Sequence, residues 1–312
     1  MVTFRTEVDS ITQLVGNTPL VRIRLFEDEF PDFLVYAKLE WFNPGGSVKD
    51  RAALAMIEDG ERRGALTKAK ILIDSTSGNT GVAYAMICSA RGYRCRLVMP
   101  ENVSEERKQL VTAYGAEIVF SDGMEGSDGA IRLCRELIAE HPDRYFYPDQ
   151  YSNPANPLAH YNGTGREILE QTGGRITHFL AGLGTTGTFT GTARRLKEHD
   201  PSIRTVALQP DDAFHGLEGL KHLPTSIVPA IWDASCADEV WGAPTEAAYE
   251  LARSLSRTHG MLVGHSCGAA LWGIRRLAEQ VRRGVAVTIF PDGGDRYLST
   301  GLYRFTGPAA GQ

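Results

Sequence analysis

Four loops hold the residue types that could do chemistry. The first reads Asn43-Pro44-Gly45-Gly46-Ser47-Val48-Lys49-Asp50-Arg51. Ser47 with Asp50 three residues on has the spacing of a capping box, which puts Lys49 in the first turn of a helix. There its charge opposes the helix dipole, and neighbouring Arg51 adds to the repulsion, so both favour a depressed lysine pKa. A lysine kept neutral is what a Schiff base with an aldehyde requires, because only the free amine attacks. An isolated lysine is most often a solvated one, so the other loops must decide.

The second loop, Ser75-Thr76-Ser77-Gly78-Asn79-Thr80-Gly81, offers hydroxyls, an amide and glycine-freed backbone N–H groups ahead of a helix, an anion cradle suited to a carboxylate. The same residues are also ordinary turn and cap formers. The third, Gly182-Leu183-Gly184-Thr185-Thr186-Gly187-Thr188, satisfies G-x-G-x-x-G between a strand and a helix, and the following strand ends in Gln209-Pro210-Asp211-Asp212. That pattern fits a dinucleotide with an acid for its ribose, and its threonines fit a terminal phosphate equally well. The fourth, Gly264-His265-Ser266-Cys267-Gly268, has the form of a nucleophile elbow. No histidine follows Ser266, so the triad order of that fold is missing. Ser266 is then a neutral hydrogen-bonding group and Cys267 a packed thiol.

The elements that must position these loops alternate. Strands are expected at 35–39, 71–74, 96–99, 117–120, 178–181, 205–208 and 285–290. Helices are expected at 47–63, 80–91, 104–114, 128–140, 188–199, 245–258 and 268–282. Strand-helix alternation of this kind implies parallel sheets with helices on both faces and ligands at the carboxyl ends of the strands. The proline-rich stretch 147–157 is the candidate join between two α/β halves.

Composition agrees with such a globular chain. It has 312 residues, 42% hydrophobic and 23% charged, with a formal net charge of −5. No long block of one charge supports a nucleic-acid footprint, and no apolar run approaches the roughly 18 residues of a membrane span. The five cysteines form no C-x-x-C pair and the eight histidines show no metal-ligand spacing. No metal is expected, and the start Met1-Val2-Thr3-Phe4-Arg5, without a secretory pattern, implies a cytoplasmic location. Glycine is in excess, 33 in all; about 7% usage would give about 22.

Six motifs in order complete the picture: N-P-x-x-S-V-K-D-R, T-S-G-N-T-G, Q-Y-S-N-P-A-N-P, G-T-T-G-T, G-x-S-C-G and P-D-G-G-D-R-Y-L-S-T. Together they resemble the cysteine synthase family, pyridoxal-phosphate enzymes of fold type II related to cystathionine β-synthase. The resemblance runs from Leu14 to about Thr300, and the stretches 160–165 and 229–233 look more like its B-type members. It implies two doubly wound α/β domains of the tryptophan synthase β kind. Residues 41–154 would form a mobile substrate-clamping domain, 12–40 plus 155–305 a larger one, and 306–312 a loose tail.

Position by position, the resemblance implies that Lys49 holds pyridoxal 5′-phosphate and moves protons, and that Asn79 contacts the ring hydroxyl. Gly184, Thr185, Thr186, Gly187 and Thr188 would cup the phosphate, and Ser266 would bond the pyridine nitrogen. Thr76, Ser77, Gly78, Thr80 and Gln150 would grip the substrate carboxylate. A neutral serine on the ring nitrogen makes a weaker electron sink than a carboxylate partner would, which favours prompt loss of a β-leaving group to an α-aminoacrylate. A sulfide donor then adds to give L-cysteine from O-acetylserine or O-phosphoserine. A homodimer is implied, and the sulfur source is free sulfide, thiosulfate or a sulfur-carrier protein.

Two positions depart from the family pattern. Relatives commonly carry glycine at Thr186, and B-type and phosphoserine-using relatives often carry arginine where this chain has Lys221 and His222. Lys221 is a candidate for attracting an anionic leaving group, though it lacks the fork of arginine. Other readings are a cystathionine β-synthase-like or desulfhydrase reaction, an NAD-dependent oxidoreductase, and a non-catalytic pyridoxal-phosphate-binding regulatory partner.

Overall fold

A computed structural model describes residues 7–76 and 78–304. Ser77 and the expected tail 306–312 lie outside the described residues. In chain order the first elements are β1 (Leu20–Ile23), β2 (Phe33–Leu39), α1 (Lys49–Arg62), β3 (Ile71–Ser75), α2 (Asn79–Arg91) and β4 (Arg94–Pro100). Next come α3 (Glu105–Ala113), β5 (Glu117–Ser121), α4 (Gly126–Glu140), β6 (Tyr145–Phe146), α5 (Ala155–Ala159) and, past a π-turn, α6 (Arg166–Thr172). The chain continues through β7 (His178–Gly182), α7 (Gly187–His199), β8 (Arg204–Pro210), β9 (Glu239–Ala243), α8 (Thr245–His259), α9 (His265–Val281) and β10 (Gly284–Phe290).

The strands form two sheets, one ordered β5-β4-β3-β6 and one ordered β1-β2-β10-β7-β8-β9. Every pairing is parallel except β1 with β2. Helices cover both faces, which is why Ile71, Leu72 and Ile73 of β3 follow one another as an apolar run. Leu72 points into a core with Met56, Ile57, Val82 and Leu97, while Ile71 and Ile73 point the other way, onto Ala130 and Cys134 of α4. The larger sheet is covered likewise, by α9 on one side and α7 on the other.

The seven expected strands and seven expected helices are all present, with boundaries shifted by up to three residues. The short strands β1, β6 and β9 and the helical stretch from Ala155 to Thr172 are additions. The connection 147–157 leads from the last strand of the four-stranded sheet into α5. Among the described residues no helix is long and apolar enough to cross a membrane.

Candidate active site

The carboxyl ends of β3, β7 and β10 open on one cleft, which is partly open to solvent. Its walls include Lys49, Asn79, Gly184, Thr185, Thr186, Thr188, Ser266 and Asp292.

Lys49 is the first residue of α1, as the spacing predicts, but the cap differs from the expected box. Val48 is the N-cap. Ser47 Oγ accepts from Lys49 N at 3.2 Å, and the Asp50 carboxylate accepts from Gly45 N at 2.5 Å. Val48 N donates to Pro291 O at 2.8 Å, which ties the helix start to the end of β10. Burial pushes the Lys49 amine below its ordinary 10.5, and Asp292 and Glu40 pull it part of the way back. The direction matches the expectation; the cause does not. Arg51 turns away into a buried network, donating to Glu40 Oε2 at 2.7 Å and to Glu167 Oε1 at 2.6 Å, so its charge is compensated there. Among the described residues no carboxylate lies within ion-pair distance of the Lys49 ammonium.

Asn79 opens α2. Its Nδ2 donates to Asp292 Oδ2 at 2.6 Å and its Oδ1 accepts from Arg296 Nη1 at 2.7 Å, which leaves one amide hydrogen for a ligand. Arg296 also reaches the Gly45 carbonyl. Gly46, at φ +76°, passes so close to this guanidinium that a Cβ would lie 2.2 Å from Arg296 Nη2.

The described residues of the loop after β3 meet the cleft at Asn79. Thr76 Oγ1 accepts from Gly78 N at 3.2 Å and from Gly81 N at 3.1 Å, holding the turn into α2. Thr80 Oγ1 donates to Gln150 Oε1 at 2.8 Å, and Gln150 Nε2 returns to Ser75 O at 2.6 Å. Gln150 is thus stitched to this loop. Asn156 Nδ2 then donates to Gln150 O at 2.7 Å and to Thr185 Oγ1 at 3.2 Å, linking the loop to the glycine-threonine turn.

That turn lies between β7 and α7. The first amides of α7 have no intrahelical acceptor and carry the positive end of its dipole. Thr188 Oγ1 lies 3.2 Å from Nε2 of buried His160, whose other nitrogen is 2.9 Å from Thr164 Oγ1. Burial pushes His160 down to about 3, so it is neutral. Thr186 is the N-cap with φ +73°, and its hydroxyl is buried without a partner. A Cβ on Gly184 would lie 2.5 Å from the Gly219 carbonyl, so this backbone can come close to a ligand only as glycine. Asp211, the acid a dinucleotide would need, is exposed beyond β8.

Ser266 lies in the first turn of α9 and is buried at the cleft. His265 does not serve it, packing between Tyr249 and Tyr297 at ring distances of 5.1 and 4.5 Å. Lys221 turns instead to Asp128 Oδ1 at 3.2 Å. Asp292, Arg296, Asn156 and His160 were not assigned roles from sequence. The signal in the sequence is membership of the P-D-G-G-D-R-Y motif for Asp292 and Arg296, of N-P-A-N-P for Asn156, and of the B-type-like stretch 160–165 for His160.

The arrangement fits a phosphorylated pyridine aldehyde. An orphaned Thr186 hydroxyl and a glycine-walled helix N-terminus suit the phosphate, a burial-depressed lysine suits the aldehyde, and a neutral hydroxyl suits the ring nitrogen.

Comparison with known proteins agrees. A family profile described as "Pyridoxal-phosphate dependent enzyme" matches residues 11–292. The chain is 51% identical over 306 residues to a cysteine synthase of Aquifex aeolicus, covering 96% of this chain and 94% of that one. It is 43% identical over 297 residues to cysteine synthase B of Escherichia coli, covering 95% and 96%. The crystal structure of O-acetyl serine sulfhydrylase isoform 3 from Entamoeba histolytica superposes with a TM-score of 0.91 at 34% identity, covering 99% of this chain and 95% of that one. The motifs, the lysine-centred cleft and these likenesses coincide over nearly the whole chain, which therefore belongs to the pyridoxal-phosphate dependent enzymes of fold type II and, within them, to the cysteine synthase family.

Proposed function

We propose that this cleft makes L-cysteine by β-replacement, exchanging the activated hydroxyl of an O-substituted L-serine for sulfide. The observation that carries the reading is a helix-initial lysine, held below its ordinary pKa by burial, in one cleft with a threonine-rich helix N-terminus and a neutral serine. Bound there, pyridoxal 5′-phosphate supplies the electron sink that makes an amino acid's α-proton and β-substituent labile.

The chain's own residues do the rest. Lys49 Nζ holds the cofactor and moves the proton at the substrate α-carbon. Gly184, Thr185, Thr186, Gly187 and Thr188 hold the phosphate with hydroxyls and the helix dipole. Asn79, oriented by Asp292 and Arg296, turns its remaining N–H to the ring oxygen, and Ser266 offers the ring nitrogen a neutral hydrogen bond. Thr76, Ser77, Gly78, Thr80 and Gln150 bind the substrate carboxylate. Closing that loop with segment 41–154 over 12–40 plus 155–305 excludes water from the reacting carbon. A cytoplasmic homodimer, supplied by free sulfide or a sulfur-carrier protein, is the setting this reading implies; five free and buried cysteines suit a reducing compartment.

The test is direct. The purified protein should be yellow, lose the colour on borohydride reduction and carry the cofactor mass on Lys49. With O-acetylserine and sulfide it should release cysteine. A protein that takes up no pyridoxal phosphate, or an adduct on another lysine, would overturn the reading.

A further inference from the structure

Charged pairs stand beside the cleft, and the inference drawn from them rests on the function proposed above. Segment 211–228, after β8, supplies Glu218, Gly219 and Leu220 to the cleft wall. Two of its charged side chains are tied across to the helices of the four-stranded sheet. Glu218 Oε2 meets Arg107 Nη2 of α3 at 2.6 Å, and Lys221 Nζ meets Asp128 Oδ1 of α4 at 3.2 Å.

Both cations are held in place as well as neutralised. The Arg107 guanidinium lies against the carboxylate loop, with its central carbon 3.7 Å from where a Cβ on Gly78 would stand. It also sits 5.3 Å from the Tyr297 ring centre. Lys221 lies 5.2 Å from the ring centre of Tyr151, next to Gln150. The other oxygen of Asp128 accepts from Ile227 N at 3.2 Å, so this one carboxylate pins both Lys221 and the backbone six residues on. The Lys221 side chain is only 11% exposed.

A phosphate ester would bring a charge of about −1.5 to −2 at neutral pH into this partly enclosed space. To be neutralised it must displace a carboxylate from Arg107 or Lys221; otherwise it lies beside Glu218 uncompensated, where like charges in a low-dielectric wall repel. An acyl ester brings no charge and meets neither penalty. We propose that Glu218 and Asp128 are the specificity-determining residues of this cleft: by occupying Arg107 and Lys221 they exclude a serine activated by a dianionic group and reserve the site for one carrying a neutral acyl group. Lys221, a candidate anion binder from sequence, is here the residue Asp128 silences.

The test compares holoenzymes of wild type, Glu218→Gln and Asp128→Asn. Two readouts are taken: kcat/KM for O-acetyl-L-serine and O-phospho-L-serine with sulfide, and calorimetric affinities of two unreactive analogues, 2-amino-5-oxohexanoate (neutral) and 2-amino-4-phosphonobutanoate (anionic). Wild type should favour the acetyl ester by about 100-fold or more. Each substitution should raise the phospho-to-acetyl ratio about tenfold, and the analogue affinity ratio should move the same way. Equal use of both esters by wild type, or ratios that stay fixed in both variants, overturns the proposal. If the analogues are discriminated as stated but neither ester is turned over, this inference stands and the β-replacement reading falls.

Discussion

Asn79 Nδ2 donates to Asp292 Oδ2 at 2.6 Å, joining the start of α2 to the end of β10 across 213 positions of sequence. Through Arg296 on its other side, the amide is held in one orientation. The side chain proposed to contact the cofactor ring is therefore set by residues with other partners of their own.

Asp292→Asn should leave the fold intact and misorient Asn79, lowering kcat by about 10- to 100-fold, as loss of an orienting partner typically does. It also removes a charge that raises the Lys49 pKa. Cofactor uptake by the apoprotein needs the neutral amine, so its half-maximal pH should fall relative to wild type. A stopped-flow pH series of uptake measures this, and a shift to higher pH would contradict the assignment.

Glu167 accepts from both Arg51 and Lys38 in the buried network beneath α1, at 2.6 and 2.7 Å. Those cations hold its carboxyl well below the ordinary range. Glu167→Ala leaves buried Lys38 without its ion-pair partner and buried Arg51 with Glu40 alone, and should destabilise the protein by about 3–5 kcal/mol. Urea unfolding followed by fluorescence would read it. A loss under about 1 kcal/mol would show that the network is hydrated.

His160 is buried neutral, pushed from 6.5 to about 3 by burial first and by the charge of Arg51 next. The unfolded chain binds this proton below 6.5 and the folded one does not, so its contribution to stability is present above that pH and lost as pH falls toward 3. Between pH 6.5 and 5 the loss should be about 2 kcal/mol from this group. His160→Gln should flatten the wild-type decline of melting temperature between pH 7 and 5, a difference that calorimetry at the two pH values isolates.

Thr186 holds φ +73°, a region unfavourable for a β-branched residue. Thr186→Gly relieves that strain and removes a buried, unpartnered hydroxyl proposed to face the phosphate. The apoprotein should gain up to about 1 kcal/mol of stability, the strain relief being partly offset by glycine's chain entropy. Cofactor affinity should fall severalfold, as equilibrium dialysis would show. A variant that binds the cofactor as tightly as wild type would assign Thr186 no part in the phosphate cup.

Sequence alone determined the alternation of strands and helices, because sheets covered on both faces need continuous apolar strands and amphipathic helices between them. Runs such as 71–74 and 178–181 carry that signal without outside help. It also marked the candidate loops whose residues meet at the cleft, since glycines, hydroxyls and a helix-initial lysine are local features. The edge strand β9, with Val240 47% exposed, had too little apolar pattern to be read. Pro157, Gly163 and Gly165 broke the helical pattern of the 155–172 stretch, which is held by packing: a Cβ on Gly191 of α7 would lie 2.0 Å from the Pro157 carbonyl.

Tertiary structure decided who neutralises whom. Arg51, next but one to Lys49, belongs electrostatically to Glu40 and to Glu167, the latter 116 positions away, and Lys221 to Asp128, 93 away. The low pKa of Lys49 likewise comes from burial rather than from its sequence neighbour. Periodicity and spacing are properties of a few successive residues, whereas desolvation and charge pairing depend on distance in space. Those distances exist only once the two sheets are ordered and their carboxyl ends brought to a common cleft.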